Sequence, residues 1–180
     1  TNLQNHHNGV VQVGGYFFNQ EKHSMLYANY FTLHTGTTRN NITVRMGGEK
    51  SECHVSGLYL IDKNQQVDNF LTIDHAVPNC ESNELFKGVM DDRSVGTFTG
   101  RIIVRPDAQQ TNAYQSNNNL LLTDGAKANS RPQLEIYADD VKCSHGATVG
   151  QLDEDALFYL RSRGIGVDEA TILLMYAFAY

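Results

Sequence analysis

Tryptophan, cysteine and proline are all scarce in this chain of 180 residues, which has no Trp, three Pro and three Cys. The cysteines, Cys53, Cys80 and Cys143, are odd in number, far apart and without a C-x-x-C pair. This spacing argues against a disulfide framework and against a structural zinc site. A reducing cytoplasm is therefore the predicted location.

Basic residues are in the minority, with 14 Lys and Arg against 20 Asp and Glu, for a formal net charge of −6. Without a Lys/Arg cluster, a nucleic-acid-binding surface is not expected. No apolar run reaches the roughly 18 residues of a membrane span, and the polar start, Thr1–Asn5, lacks the core of a signal peptide. The chain has no initial Met and ends within an apolar helical pattern, so it is interpreted as a fragment of a longer protein.

Short apolar segments separated by polar turns fill the chain from Val10 to about Val149. Several alternate with a period of two, which is typical of strands; Leu134 and Ile136, for example, are predicted to face inward and Glu135 outward. Clusters such as Asn117-Asn118-Asn119 are interpreted as turns. The predicted strands are Val10–Val13, Ser24–Thr35, Asn41–Arg45, His54–Leu60, Asn69–Ile73, Thr97–Val104, Leu120–Thr123, Gln133–Tyr137 and Val141–His145.

No segment with helical periodicity interrupts these strands, which excludes a βαβ architecture. The choice lies among a sandwich, a barrel and a β-solenoid. Strand clusters return at intervals of very roughly 20–30 residues, as in a β-helix, although residue identity between the repeats is weak. On this pattern alone, the β-helix and the sandwich are equally favoured.

The composition changes at Gln151, where two helices are predicted. Asp153 is a good N-cap for the first, and the second begins near Val167. An apolar stripe follows helical spacing in the second helix and can cover one neighbour; it consists of Ala170, Leu173, Leu174, Ala177 and Phe178. Ile172, Met175 and Tyr176 add apolar surface outside the stripe, so this helix is predicted to be a docking element with a second neighbour.

The sharpest pair of reactive side chains is Cys143 and His145, two residues apart. On a strand, residues i and i+2 project from the same face. A thiolate and an imidazole in that position could hold iron or the edge of an iron–sulfur cluster. The alternative is a small buried thiol beside a hydrogen-bonded histidine.

Two further constellations are weaker. Asp74, His75 and Cys80 suggest a metal site, but Pro78 and its neighbours favour a structural corner. Asp139-Asp140 could be paired acids, as in a glycosidase, or a turn before the last strand. Nucleophile-elbow, P-loop and dinucleotide-binding motifs are absent.

Segments 132–141 (PQLEIYADDV) and 143–150 (CSHGATVG) closely resemble the SufB/SufD family of the Suf iron–sulfur cluster assembly system. The resemblance is almost continuous from Asn119 to Phe178. It implies a right-handed parallel β-helix over residues 1–150, followed by the start of a C-terminal helical domain over 151–180. It also implies a non-catalytic scaffold with no tightly bound cofactor, which carries an iron–sulfur cluster only transiently.

The resemblance further implies two partners: SufB at the end of the β-helix, and the SufC ATPase at the C-terminal helices. Cys143 and His145 would then contact the iron or cluster at the SufB interface, with His145 as a metal ligand. The SufD branch of the family matches better than the SufB branch, because the run Tyr114–Asn117 lacks the thiol found in SufB, whereas Cys143 precedes His145 in the SufD manner. The isolated chain is expected to dimerise, because a final coil at Val141–His145 would leave strand edges unpaired.

Two other functions remain possible from the residues. A purely structural β-helix interaction module would need no metal contact at Cys143 or His145. A carbohydrate-active β-helix enzyme is disfavoured, because such enzymes are usually secreted and bind sugars on aromatic side chains, and this chain has neither a predicted signal peptide nor a Trp.

Overall fold

The structure is a computed structural model that describes residues 1–180. It contains eleven strands followed by two helices. In chain order these are β1 (Asn2–Asn5), β2 (Val11–Gln20), β3 (Met25–His34), β4 (Thr37–Met46), β5 (Glu52–Ile61), β6 (Gln66–His75), β7 (Glu81–Met90), β8 (Val95–Val104), β9 (Asn112–Leu121), β10 (Lys127–Ile136), β11 (Lys142–Gln151), α1 (Glu154–Ser162) and α2 (Val167–Ala179).

The strands alternate between two sheets. One sheet has the order β1-β3-β5-β7-β9-β11, and the other has β10-β8-β6-β4-β2. Each strand pairs in parallel with the strand two positions further along the chain, so that Glu52 pairs with Glu81 and Glu81 with Asn112. A chain that returns to each sheet once per coil is a solenoid, here of about five turns. The predicted parallel β-helix is thereby confirmed, and the alternative of a sandwich is wrong.

The turns between strands repeat a local conformation. Six residues other than glycine adopt positive φ angles there: His23, Lys50, Lys63, Asn79, Asp92 and Gln110. The turn backbones also bond from coil to coil, as Asn79 N does to Gln109 O and Gln110 N to Asp140 O. Stacked turns of this kind hold successive coils in register, and the cost of a left-handed residue is offset by these bonds.

β1 and β7 were missed in the sequence, and only the end of β9 was predicted, at Leu120–Thr123. β7 contains Glu84 and Lys87, and β9 contains the run of asparagines that was interpreted as a turn. In the structure Asn117 and Asn119 lie inside the solenoid, where Asn119 Nδ2 donates to Asn117 Oδ1 at 2.8 Å. Buried amides that bond to one another are satisfied, so these polar residues remain in the strand.

The interior is lined by alternate residues of each strand. Its largest apolar cluster includes Ile42, Val44, Leu71 and Ile73, all almost fully buried. The predicted inward position of Leu134 is confirmed, since it packs against the cluster around Ile102. Ile136 was predicted to face inward as well; it is 39% exposed, since β10 is the outermost strand of its sheet and no further coil covers it.

Gly88 faces the ring of Tyr59 in the solenoid interior. The two residues are register partners, and a Cβ at position 88 would overlap that ring. Tyr59 is fully buried, and its hydroxyl donates to Asn119 Oδ1 at 2.6 Å. The absence of a side chain at Gly88 is therefore part of the packing.

Gly88→Ala is expected to lower the free energy of unfolding by about 1–3 kcal/mol, because an added methyl in a filled core forces Tyr59 out of place. Urea denaturation measures the change. Gly150→Ala is the matched control, since a Cβ there would have no neighbour within 4 Å. Equal effects of the two substitutions would contradict the packing argument.

The two predicted helices are confirmed. Asp153 caps α1, and its Oδ1 accepts from the backbone N–H groups of Asp155 and Ala156. Gly164 ends the first helix with a φ of 87°. α2 packs on the outer face of the longer sheet, where Lys87 Nζ donates to Phe178 O at 2.9 Å. Neither helix has the length and apolar character required to cross a membrane.

Candidate functional site

The solenoid has an open end formed by its last two strands. β11 is the outermost strand of the longer sheet, and β10 is the outermost strand of the shorter one. Side chains that would be covered by a further coil are partly exposed there. Cys143 and His145 both lie on β11, so the structure places the predicted pair at this end.

Cys143 belongs to the inward face of β11. It is half-buried and packs beside the cluster of Ile102, Val104 and Ala113. Burial raises the pKa of the Cys143 thiol above its ordinary value, although a bond with the Ala113 backbone opposes that change. The free protein therefore holds a neutral thiol, which would lose its proton on binding a metal.

His145 lies on the same face as Cys143, because the two positions differ by two residues along a strand. It is exposed and pairs in register with Gln115 of β9, which is buried. The imidazole thus lies at the rim of the solenoid, above an interior polar residue. The two-residue spacing found in the sequence is sufficient to bring both side chains to one surface.

The chain alone does not complete a metal site. No group of three or more His, Cys, Asp and Glu side chains is close enough to hold a metal ion. Iron in clusters is held by thiolate and imidazole ligands, so Cys143 and His145 are side chains of the right chemical type to bind iron. They supply two ligands at most, so a metal ion held by this pair would need further ligands from elsewhere.

Sequence reasoning missed the polar residues beneath His145. Glu84 is fully buried, and its Oε2 accepts from Gln115 Nε2 at 2.6 Å. Burial raises the pKa of Glu84 to about 8, partly offset by this hydrogen bond. In the sequence Glu84 is followed directly by Leu85 and Phe86, and nothing in this run indicates that the glutamate is buried.

The second constellation is a structural corner. His75 is fully buried, and its Nε2 lies 2.9 Å from Ser82 Oγ. Burial lowers the pKa of His75 to about 4, so the ring is neutral. Asp74 points outward and forms an ion pair with Arg105 at 2.9 Å, and the Cys80 thiol bonds to the Gly48 carbonyl. These side chains do not converge, so the interpretation as a corner is favoured over a metal site.

Asp139 and Asp140 form the exposed bend before β11. This agrees with their interpretation as a turn before the last strand rather than as paired catalytic acids. The Asp140 carboxylate accepts from the Gln110 side chain of the preceding coil. The pair therefore serves the stacking of turns.

The outer surface of α2 is apolar. Ile172 is 62% exposed and Tyr176 is 70% exposed. Met175 differs, since it is half-buried and lines a cleft with Leu33 and Leu60 on the sheet. The predicted partner-binding residues are thus divided between a free face and the seam between helix and sheet, and their role stays a prediction.

The stripe of α2 that covers the sheet also needs a correction. Ala170 is buried and Leu174 and Phe178 are half-buried, as predicted, but Leu173 is 49% exposed and Ala177 is exposed as well. Met175 lies against the sheet instead. Apolar residues at i, i+3 and i+4 form a broad band on a helix. The sequence pattern therefore does not show which residues at the edge of that band pack on the sheet.

Comparison with known proteins gives the class to which this solenoid belongs. Residues 1–178 match the model of the family described as SUF system FeS cluster assembly, SufBD core domain. The match covers nearly the whole chain, and the chain belongs to this family. The resemblance inferred from the segments at 132–150 is thereby confirmed.

Over the aligned residues, the relatives are about two fifths identical to this chain. The iron–sulfur cluster assembly protein SufD of Escherichia coli is 40% identical over 153 residues, which are 85% of this chain and 36% of that protein. An iron–sulfur cluster assembly SufBD family protein of Mycobacterium leprae is 37% identical over 155 residues, 82% of this chain and 40% of its own. The chloroplast protein ABCI7 of Arabidopsis thaliana is 37% identical over 143 residues, 78% of this chain and 30% of its own. The chain therefore spans less than half the length of these curated relatives.

Proposed function

We propose that this chain is part of a non-catalytic scaffold subunit for iron–sulfur cluster assembly. Its family and the names of its relatives support the assembly role. The observation that carries the proposal is the position of Cys143 and His145 on one face of β11, at the open end of the solenoid. In this role the iron–sulfur cluster is cargo that is assembled and passed on.

The incomplete ligand set supports a shared site. Since no third donor of the chain lies close enough, the cluster would be bound between this end and a partner that supplies the remaining ligands. The end of a parallel sheet also offers unpaired backbone groups along β11, which favours a second solenoid. A SufB subunit is the partner proposed for this surface.

The helices serve a second partner in this proposal. The exposed apolar face of α2 includes Ile172, Leu173 and Tyr176. Apolar surface of this kind on a helix is typical of a protein–protein interface. The SufC ATPase is the proposed partner here, and ATP-driven movement in it would reach the solenoid through the packing of α2 on the sheet.

Anaerobic reconstitution of the full-length complex with iron and sulfide tests the scaffold role. His145→Ala is expected to reduce the cluster content by roughly tenfold or more, because even loss of a residue that supports a metal ligand costs about 10–100-fold in affinity. Absorption in the visible range and iron analysis measure the content. His7→Ala, at an exposed position far from β11, is the control.

A cluster content that is unchanged by both His145→Ala and Cys143→Ala would contradict the scaffold proposal. It would favour the purely structural interaction module, in which the end of the solenoid binds a partner without metal.

A further inference from the structure

Glu84 is the one carboxylate in the interior of the solenoid. It is fully buried, and none of the ion pairs of the chain includes it. Its Oε2 accepts from Gln115, and its Oε1 has no hydrogen-bond partner. Burying a carboxyl group with incomplete bonding is costly, so its presence calls for a role that an apolar residue could not fill.

The register places Glu84 in a row that leads to the open end. Val55 pairs with Glu84, Glu84 with Gln115, and Gln115 with His145. Adjacent parallel strands lie about 4.8 Å apart, and side chains in one row point to the same face. Gln115 therefore lies between the buried carboxyl group and the exposed imidazole.

The amide of Gln115 has a fixed orientation. Its Nε2 donates to Glu84 Oε2, which accepts whether or not that carboxyl group is protonated. Across the interior lies Gly100, where any Cβ would overlap this amide group. The site is thus shaped around the Gln115 side chain, which is 3% exposed.

One hydrogen-bonding group of this amide remains unused. Gln115 Oε1 is buried and has no partner. It is an acceptor, and the residue next to it in the row, His145, carries a ring N–H in its neutral form. The only other polar side chain of the row, Glu84, already occupies the opposite end of the amide.

We infer that Gln115, held by Glu84, is a positioning residue for His145: the exposed His145 ring turns inward so that a ring N–H donates to the free Gln115 Oε1. This bond selects one tautomer and leaves the second ring nitrogen free as an acceptor or ligand. Metal-binding histidines generally donate their other N–H to such a partner. The use of the free nitrogen for iron rests on the proposed function, whereas the hydrogen bond itself does not.

The tautomer of His145 tests the bond without any metal. In the metal-free chain, ¹H–¹⁵N correlation spectra at a pH where the imidazole is neutral are expected to show one dominant His145 tautomer. Gln115→Met, which keeps the length of the side chain and removes the acceptor, is expected to shift the ring nitrogens toward the averaged values of a free imidazole. Gln133→Met, at an exposed position of β10, is the control and should change nothing.

The same tautomer mixture in the native chain and in Gln115→Met would overturn the inference. If Gln115→Met fails to fold, Glu84→Met carries the test, since it keeps the length of the side chain and removes the acceptor that holds Gln115. A shift of the His145 ring nitrogens in Glu84→Met is then expected, and unchanged nitrogens would be decisive against the inference.

Iron binding separates this inference from the proposed function. With Fe²⁺ alone as the anaerobic probe in the full-length complex, Gln115→Met is expected to weaken binding by about 10–100-fold, with His145 still present. If His145→Ala leaves Fe²⁺ binding unchanged, the proposed iron role is wrong, and the tautomer measurement still decides the hydrogen bond. If His145→Ala abolishes binding and Gln115→Met has no effect on it or on the tautomer, the positioning role is wrong and the iron role stands.

Discussion

The free energy of unfolding is expected to fall by about 1 kcal/mol as the pH rises from 6.5 to 8, because Glu84 keeps its proton inside the folded solenoid whereas the same carboxyl group is ionised in the unfolded chain. Burial raises the pKa of Glu84 from its ordinary value of 4.5 to about 8. The folded state therefore binds more protons than the unfolded state across this range. Stability decreases with rising pH wherever that is so.

His75 acts in the opposite direction over a lower range. Burial lowers its pKa from 6.5 to about 4, so between these values the unfolded state holds the additional proton and stability rises with pH. From pH 4.5 to 6.5 the two groups oppose one another. Above pH 6.5 His75 loses its remaining proton in the unfolded chain, so its opposing contribution fades and the decrease due to Glu84 dominates. The raised pKa of Cys53, about 12, matters only above its ordinary value of 9.0.

Urea denaturation at a series of pH values measures this dependence. Glu84→Gln keeps a partner for Gln115 and has no proton to lose, so its stability should be nearly constant from pH 6.5 to 8. Glu81→Gln, at an exposed position of the same strand, should keep the native slope. A Glu84→Gln variant with an unchanged slope would show that another group is responsible.

The sequence predicted the fold class correctly but not all of its strands. The alternation of apolar and polar residues is clear in strands such as β4, where Ile42 and Val44 are buried. It failed at Asn117 and Asn119, because buried asparagines satisfied by a tyrosine and by each other look like turn residues in isolation. The choice between solenoid and sandwich depended on the family resemblance, since the period of the coils is not constant along the chain.

The candidate site was predictable only in its local part. Cys143 and His145 share a face because they are two residues apart on one strand, and this spacing can be read directly from the sequence. The row from Glu84 through Gln115 to His145 depends on coil length, and Glu84 and Gln115 are 31 residues apart. A slip of one residue in the pairing register of β9 would turn Gln115 to the outside. The turns differ in length from coil to coil, so the spacing of residues along the sequence does not show that register.

Replacing both Ile172 and Tyr176 with Asp is expected to weaken binding of the full-length protein to the SufC ATPase by about a thousandfold, if the proposed docking face is correct. The two side chains are 62% and 70% exposed, so the free chain does not depend on them for packing. Central apolar anchors in an interface contribute about 2 kcal/mol or more each, and every 1.4 kcal/mol is a factor of ten in affinity. Two carboxylates buried without partners would add to the loss.

The control must separate loss of the interface from loss of the fold. Phe17→Asp with Val13→Asp makes the same kind of change at exposed positions of β2, far along the chain from α2, and should leave ATPase binding intact. Leu174→Asp is expected to behave differently from both, because Leu174 lies in the face of α2 that packs on the sheet. It should lower the melting temperature as well as the affinity, since it detaches the helix from the solenoid.

Calorimetric titration with the ATPase and thermal melting of each variant give the decisive comparison. Native melting of the Ile172→Asp/Tyr176→Asp variant together with lost binding assigns the docking face to the outer side of α2. Native melting with native affinity would exclude that face. Met175 then becomes the informative position, because it lies in the seam between α2 and the sheet, where a partner could act only by moving the helix.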